Sequence, residues 1–135
     1  MVRTFVAVSF ACGALCFAGS AGAQHMNADG PCPDATSTVE MANCFSAALE
    51  DADAELNATY KTLMSALDDE EKAALRAAQR AWITYRDRAC EAEALPYRGG
   101  SARGVVQLAC LEAATRERTA FMRRGLWWQV EKAEG

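Results

Sequence analysis

The distribution of cysteine constrains this chain most: six occur in 135 residues, two within an apolar N-terminal run and four beyond it. A positive charge at Arg3, a short apolar run over 5–17 and the small residues before Gln24 are typical of a secretory signal peptide. The run is too short to span a bilayer. We therefore expect residues 1–23 to be removed after Ala23, leaving a periplasmic or secreted protein without stable membrane insertion.

The four remaining cysteines, Cys32, Cys44, Cys90 and Cys110, are an even number in an exported chain and predict two disulfides. They form no CxxC pair, and the one histidine lies near the N-terminus, so a metal site is not expected. Local pairing, 32–44 with 90–110, is favoured. The alternative, 44–90 with 32–110, stays open because an antiparallel register would place Cys44 and Cys90 at the same end.

Helical periodicity runs through the rest of the chain, and no alternating strand pattern interrupts it. Ser37 and Glu40 have the spacing of a capping box, which predicts a first helix that continues to about Leu67. Its apolar residues recur at steps of three and four and form one stripe. The stripe comprises Phe45, Leu49, Ala52, Leu56, Tyr60, Leu63 and Leu67.

Two further helices are predicted. The second is capped by Asp68 or Asp69 and ends near Leu95, because the following proline disfavours helix. The third begins after Ser101 and ends at Arg124 with a glycine just beyond. The buried stripe predicted for the second helix comprises Leu75, Ala78, Trp82, Tyr85 and Ala89.

These elements predict an all-α, disulfide-stapled fold, a three-helix arrangement with a long antiparallel hairpin at its centre. We expect an extended lead-in over 24–35, a helical domain over 36–124 and a C-terminal tail over 125–135. The tail carries Trp127 and Trp128, which we expect to fold back over the bundle or to contact a partner or membrane surface.

Charge is distributed unevenly. Residues 24–71 hold eleven acidic side chains and one basic one, whereas residues 72–135 hold twelve basic and seven acidic ones. Oppositely charged helices packed side by side would explain this, or else Glu50, Asp51 and Asp53 meet a cationic partner. The net negative charge disfavours nucleic acid as a partner.

The densest stretch of large polar and aromatic side chains is 79–90. We expect Trp82 and Tyr85 to pack in the core. We expect the Arg86 guanidinium to bind a carboxylate of the first helix, Glu50 or Asp53, in a bidentate manner. Neither a nucleophile nor a general base accompanies Arg86 and Asp87, so we predict no catalytic residues, no cofactor and no enzyme activity.

Several motifs together resemble the LprI-like lysozyme-inhibitor family of bacterial envelope proteins. The resemblance covers about Cys32 to Met122. Its residues are Cys32 with Thr36, Glu40 and Cys44; Leu56-Asn57 with Tyr60 and Leu63; Leu75 to Ile83, which includes Gln79 and Trp82; Tyr85-Arg86-Asp87 with Cys90; Gly99-Gly100-Ser101; Cys110-Leu111; and Thr115 to Arg118.

The resemblance implies an exported, all-helical, disulfide-containing domain and a role in inhibiting lysozyme. It supplies no active-site residues, and no cysteine is placed for lipid attachment. Two functions follow as hypotheses: an inhibitor that binds a cationic muramidase, and a non-enzymatic accessory protein that binds another periplasmic partner. An enzyme is disfavoured.

Overall fold

The computed structural model describes residues 30–134, so the predicted signal peptide lies outside the described residues. The elements are α1 (Thr38–Ala66), α2 (Asp69–Ala94), a 3-10 turn (Leu95–Tyr97) and α3 (Ala102–Glu134). The described part of the chain contains no strand. The predicted all-α fold of three helices is therefore confirmed.

The capping box predicted for α1 is present, and α2, for which a cap at Asp68 or Asp69 was predicted, also begins with a capping box at Asp68. The Ser37 hydroxyl accepts a hydrogen bond from the Glu40 amide at 3.2 Å, and the Glu40 carboxylate accepts from the Ser37 amide at 3.0 Å. Asp68 and Glu71 exchange the same two bonds at 2.9 Å each. These bonds satisfy backbone N–H groups that have no partner within the helix, and so they fix where each helix begins.

Helix α3 is the main packing partner of α1, and the two run parallel, because their starts share one cluster and their later halves share another. Near their N-terminal ends, Phe45 of α1 packs in one buried cluster with Val105 and Ala109 of α3. The second, larger cluster joins their C-terminal halves to the start of α2. Its buried members are Leu56, Leu63, Leu67, Leu75, Met122 and Val130.

Helix α2 runs antiparallel to α3. Cys90 near its C-terminal end is bonded to Cys110, Gln79 contacts Arg118, and Glu71 near its start contacts Gln129. Most interhelical packing is between α1 and α3, and α2 contacts α3 far more than α1. The structure therefore does not confirm an α1–α2 hairpin as the centre of the fold.

The two disulfides have the local pairing favoured from sequence. Cys32–Cys44 ties the segment before α1 to its second turn, and Cys90–Cys110 joins the end of α2 to α3. The chain that connects α2 to α3 turns at Gly99. Its φ of 85° suits glycine far better than any residue with a Cβ. The connection between α2 and α3, which includes Gly99, Gly100 and Ser101, is thus the loop that the second disulfide closes.

Two expectations about buried and helical residues were wrong. Tyr85 and Ala78, predicted to be buried, are exposed, because α2 packs mainly on one neighbour and buries a narrower strip than assumed. Helix α3 does not end at Arg124 but continues through Gly125 to Glu134. Leu126 and Trp127 then pack against the larger cluster, and their burial offsets the helix cost of glycine, about 1 kcal/mol.

Candidate functional site

The Arg86 guanidinium lies where all three helices meet. Its Nη1 donates to Asp53 Oδ1 on α1 at 3.3 Å and to Thr115 Oγ1 on α3 at 3.2 Å. Its Nε and Nη2 lie 3.0 and 2.9 Å from Asp87 Oδ1 on its own helix. The predicted contact with an acidic residue of the first helix is present, but through one nitrogen, because the neighbouring Asp87 takes the other side of the fork.

Of the three acidic residues predicted from sequence to bind a partner, one makes this contact with Arg86 and two do not. Asp53 is committed to Arg86, although 44% of its side chain remains exposed. Glu50 and Asp51 are exposed on α1. A cationic partner that approached this helix would therefore meet Glu50 and Asp51 first.

Trp82 is the centre of a stack of arginines and aromatic rings between α2 and α3. The Arg86 Cζ lies 5.2 Å from the centroid of the Trp82 ring, and the Arg118 Cζ lies 5.7 Å from it. Arg118 also lies 5.4 Å from the Phe121 ring centroid, and its Nε donates to Gln79 Oε1 at 3.0 Å. The alternation of cations and rings stabilises the orientation of both guanidinium groups.

Beside this stack is an open groove of about 540 Å³. Tyr85 and Phe121, 71% and 57% exposed, contribute its apolar surface. Arg118 and Arg124 contribute positive charge, and Glu117 a negative one. Partial burial lowers the pKa of the Arg118 guanidinium, but an arginine remains charged at physiological pH.

The structure thus brings Gln79, Trp82, Arg86 and Asp87 into one connected set, with Tyr85 at its edge. It leaves Gly99, Gly100 and Ser101 apart, in the connection between α2 and α3. Sequence reasoning did not assign Arg118 and Phe121 to this set. The Cys90–Cys110 disulfide could have indicated them, because it fixes the register of the antiparallel helices α2 and α3. Residues whose numbers add to about 200 then lie at the same level, as Gln79 and Arg118 do.

Within residues 30–134, no group of three or more histidine, cysteine, aspartate or glutamate side chains could hold a metal ion. The helices of this same region also include none that is long and apolar enough to cross a bilayer. The connected set around Trp82 and Arg86 therefore presents charged and aromatic side chains in fixed positions at the protein surface.

Comparison with known proteins gives the family. The family model described as "Lysozyme inhibitor LprI" matches residues 30–122. The chain belongs to the LprI family. A relative, described as uncharacterized protein R02472 of Rhizobium meliloti (strain 1021), is 36% identical over 122 residues, covering 81% of this chain and 86% of the relative. No solved structure matches.

The matched range of this LprI-family chain includes both disulfides, the Arg86 contacts and the groove as far as Phe121. It stops before the last three turns of α3, so the packing of Leu126, Trp127 and Val130 lies outside the region that defines the family.

Proposed function

We propose that this LprI-family protein acts outside the cytoplasm by binding and inhibiting a lysozyme. The match of the family model over residues 30–122 is the observation that carries the proposal. Two disulfides agree with export, because such bonds persist in oxidising compartments. Inhibition by binding to the enzyme also suits this fold, because the charged and aromatic side chains described above lie at its surface.

The acidic surface of α1 is the face we propose for the enzyme. Glu50 and Asp51 are exposed there, within a stretch of the chain that holds eleven acidic residues and one basic one. Opposite charge on a cationic muramidase would speed encounter and favour complex formation, and salt would screen both effects. Asp53 supports this face indirectly, since its contact with Arg86 fixes α1 against α2 and α3.

Binding kinetics with a purified cationic lysozyme test this proposal. We expect the oxidised protein without residues 1–23 to form a complex whose association rate falls as salt rises. Glu50→Lys with Asp51→Lys should lower that rate about tenfold at low salt. The matched control, Glu91→Lys with Glu131→Lys, makes the same change in net charge on α2 and α3 and should lower it less. Absence of a complex at low salt contradicts the proposal.

A second candidate is a non-enzymatic accessory role in the cell envelope, with a different partner. The groove beside Trp82 favours it, because two arginines and exposed aromatic rings do not suit a cationic enzyme. Recovery of one native periplasmic protein with the wild-type chain, together with no effect on lysozyme, would favour this role over inhibition.

A further inference from the structure

We propose that the groove between α2 and α3 is a docking site for a protein segment that presents a carboxylate beside an apolar side chain. This surface is distinct from the acidic face of α1, and it takes a partner of the opposite charge. The proposal does not depend on lysozyme being a target.

Arg118 is held ready for an anion. Its Nε is occupied by Gln79, and its guanidinium is stacked between the rings of Trp82 and Phe121. Among the described residues, the Arg118 Nη groups have no hydrogen-bond acceptor. A planar guanidinium with its two terminal nitrogens free binds a carboxylate in a bidentate manner, and little side-chain entropy remains to be lost because its orientation is already fixed.

The charge of the groove selects the same ligand. Arg124 adds a second cation, and Glu117 is the single acidic residue of the lining. Positive charge therefore predominates where Arg118 faces the groove.

The rest of the lining points to a protein as the source of that carboxylate. Trp82, Tyr85, Phe121 and arginine are the residue types that dominate the binding energy of protein–protein contacts. A carboxylate-bearing sugar would also present several hydroxyls that need acceptors, and among the side chains of the lining only Glu117 and the Tyr85 hydroxyl can accept a hydrogen bond. Gln79 lies nearby but is committed to Arg118.

The test is an NMR titration of the ¹⁵N-labelled, oxidised protein at low salt with N-acetyl-Leu-Glu-Leu-amide and with its glutamine analogue. We expect the glutamate peptide to shift the Trp82 indole signal saturably, and to bind about fivefold more tightly than the analogue. Arg118→Gln should remove that difference. The control Arg88→Gln, on α2 with its side chain 80% exposed, should retain it.

Two further variants guard against an Arg118 variant that fails to fold. Tyr85→Ala and Arg124→Gln alter exposed side chains of the lining, so the spectrum should keep its dispersion while the glutamate peptide binds about threefold more weakly. Equal binding of the two peptides, or shifts that persist in all three groove variants, would overturn the proposal. Tighter binding of N-acetylmuramic acid than of the glutamate peptide would overturn its protein source. None of these three results bears on lysozyme binding.

Discussion

Arg86 of α2 lies 3.3 Å from Asp53 of α1, and the same nitrogen lies 3.2 Å from the hydroxyl of Thr115 on α3. One side chain of α2 thereby contacts both of the other helices, although α1 and α2 share little other packing. Only 16% of the Arg86 side chain is exposed, so these polar contacts are poorly screened by water. We infer that this residue fixes the position of α2 relative to the α1–α3 pair.

Loss of the Arg86 guanidinium should therefore destabilise the fold. Arg86→Met keeps an unbranched side chain but removes the hydrogen bonds to Asp53 and Thr115, and we expect it to lower the free energy of unfolding by about 1–3 kcal/mol. Arg88→Met is the control, and its exposed pair with Glu91 should be worth less than about 0.5 kcal/mol. Urea unfolding of the two variants measures the difference. Equal effects would show that Arg86 adds nothing beyond a surface ion pair.

Each disulfide should stabilise the fold by about 3 kcal/mol, since the loops they close span 12 and 20 residues. Replacement of both Cys90 and Cys110 by alanine should cost more than replacement of Cys32 and Cys44. The first pair is buried, at 1% and 5% exposure, and its removal also leaves a cavity, whereas the second pair is half-buried. Urea unfolding of the two double variants tests the order, and a greater loss from the 32–44 pair would contradict it.

The last turns of α3 offer a comparison between two adjacent tryptophans. Trp127 packs against the larger apolar cluster, whereas Trp128 is 54% exposed. We expect Trp127→Ala to cost about 1.5–3 kcal/mol and Trp128→Ala less than about 1 kcal/mol. Thermal unfolding by circular dichroism distinguishes them. Equal losses would mean that the helix beyond Gly125 does not contribute its packing to stability.

The capping box of α1 should make stability depend on pH. Hydrogen bonds from Thr36 and Ser37 lower the pKa of the Glu40 carboxyl below its ordinary value of about 4.3. A depressed folded-state pKa stabilises the fold above the unfolded value, and that stabilisation is lost as pH falls through the folded value. The difference in midpoint temperature between wild type and Glu40→Gln should therefore be largest near neutral pH and shrink below about pH 4. A difference that stays constant down to pH 2 would contradict this role of the charge.

What the sequence could predict is largely local. The caps at Ser37 and Asp68 depend on side chains and amides three residues apart, and both are present. The favoured disulfides close short loops, and the stripe from Phe45 to Leu67 repeats over a long helix. The contact between Arg86 and Asp53 was also accessible, because a short turn at Asp68 fixes which residues of α1 and α2 lie level.

What the sequence could not predict depends on how helices distant in the chain pack. Tyr85 continues an apolar pattern, yet it is exposed because α2 packs chiefly on α3. Gly125 follows two arginines like a helix terminator, but the packing of Trp127 beyond it extends α3. The stack of Trp82, Arg118 and Phe121 needs the α2–α3 register, which neither helix encodes alone.

The rate of cell-wall lysis by a cationic lysozyme, followed as loss of turbidity, tests the central claim most directly. The oxidised protein without residues 1–23 should slow lysis in proportion to the amount added, more strongly at low than at high salt. The variant with Glu50→Lys and Asp51→Lys should inhibit less at equal concentration. A lysis rate unchanged by a large molar excess of the wild-type protein at low salt would contradict the account.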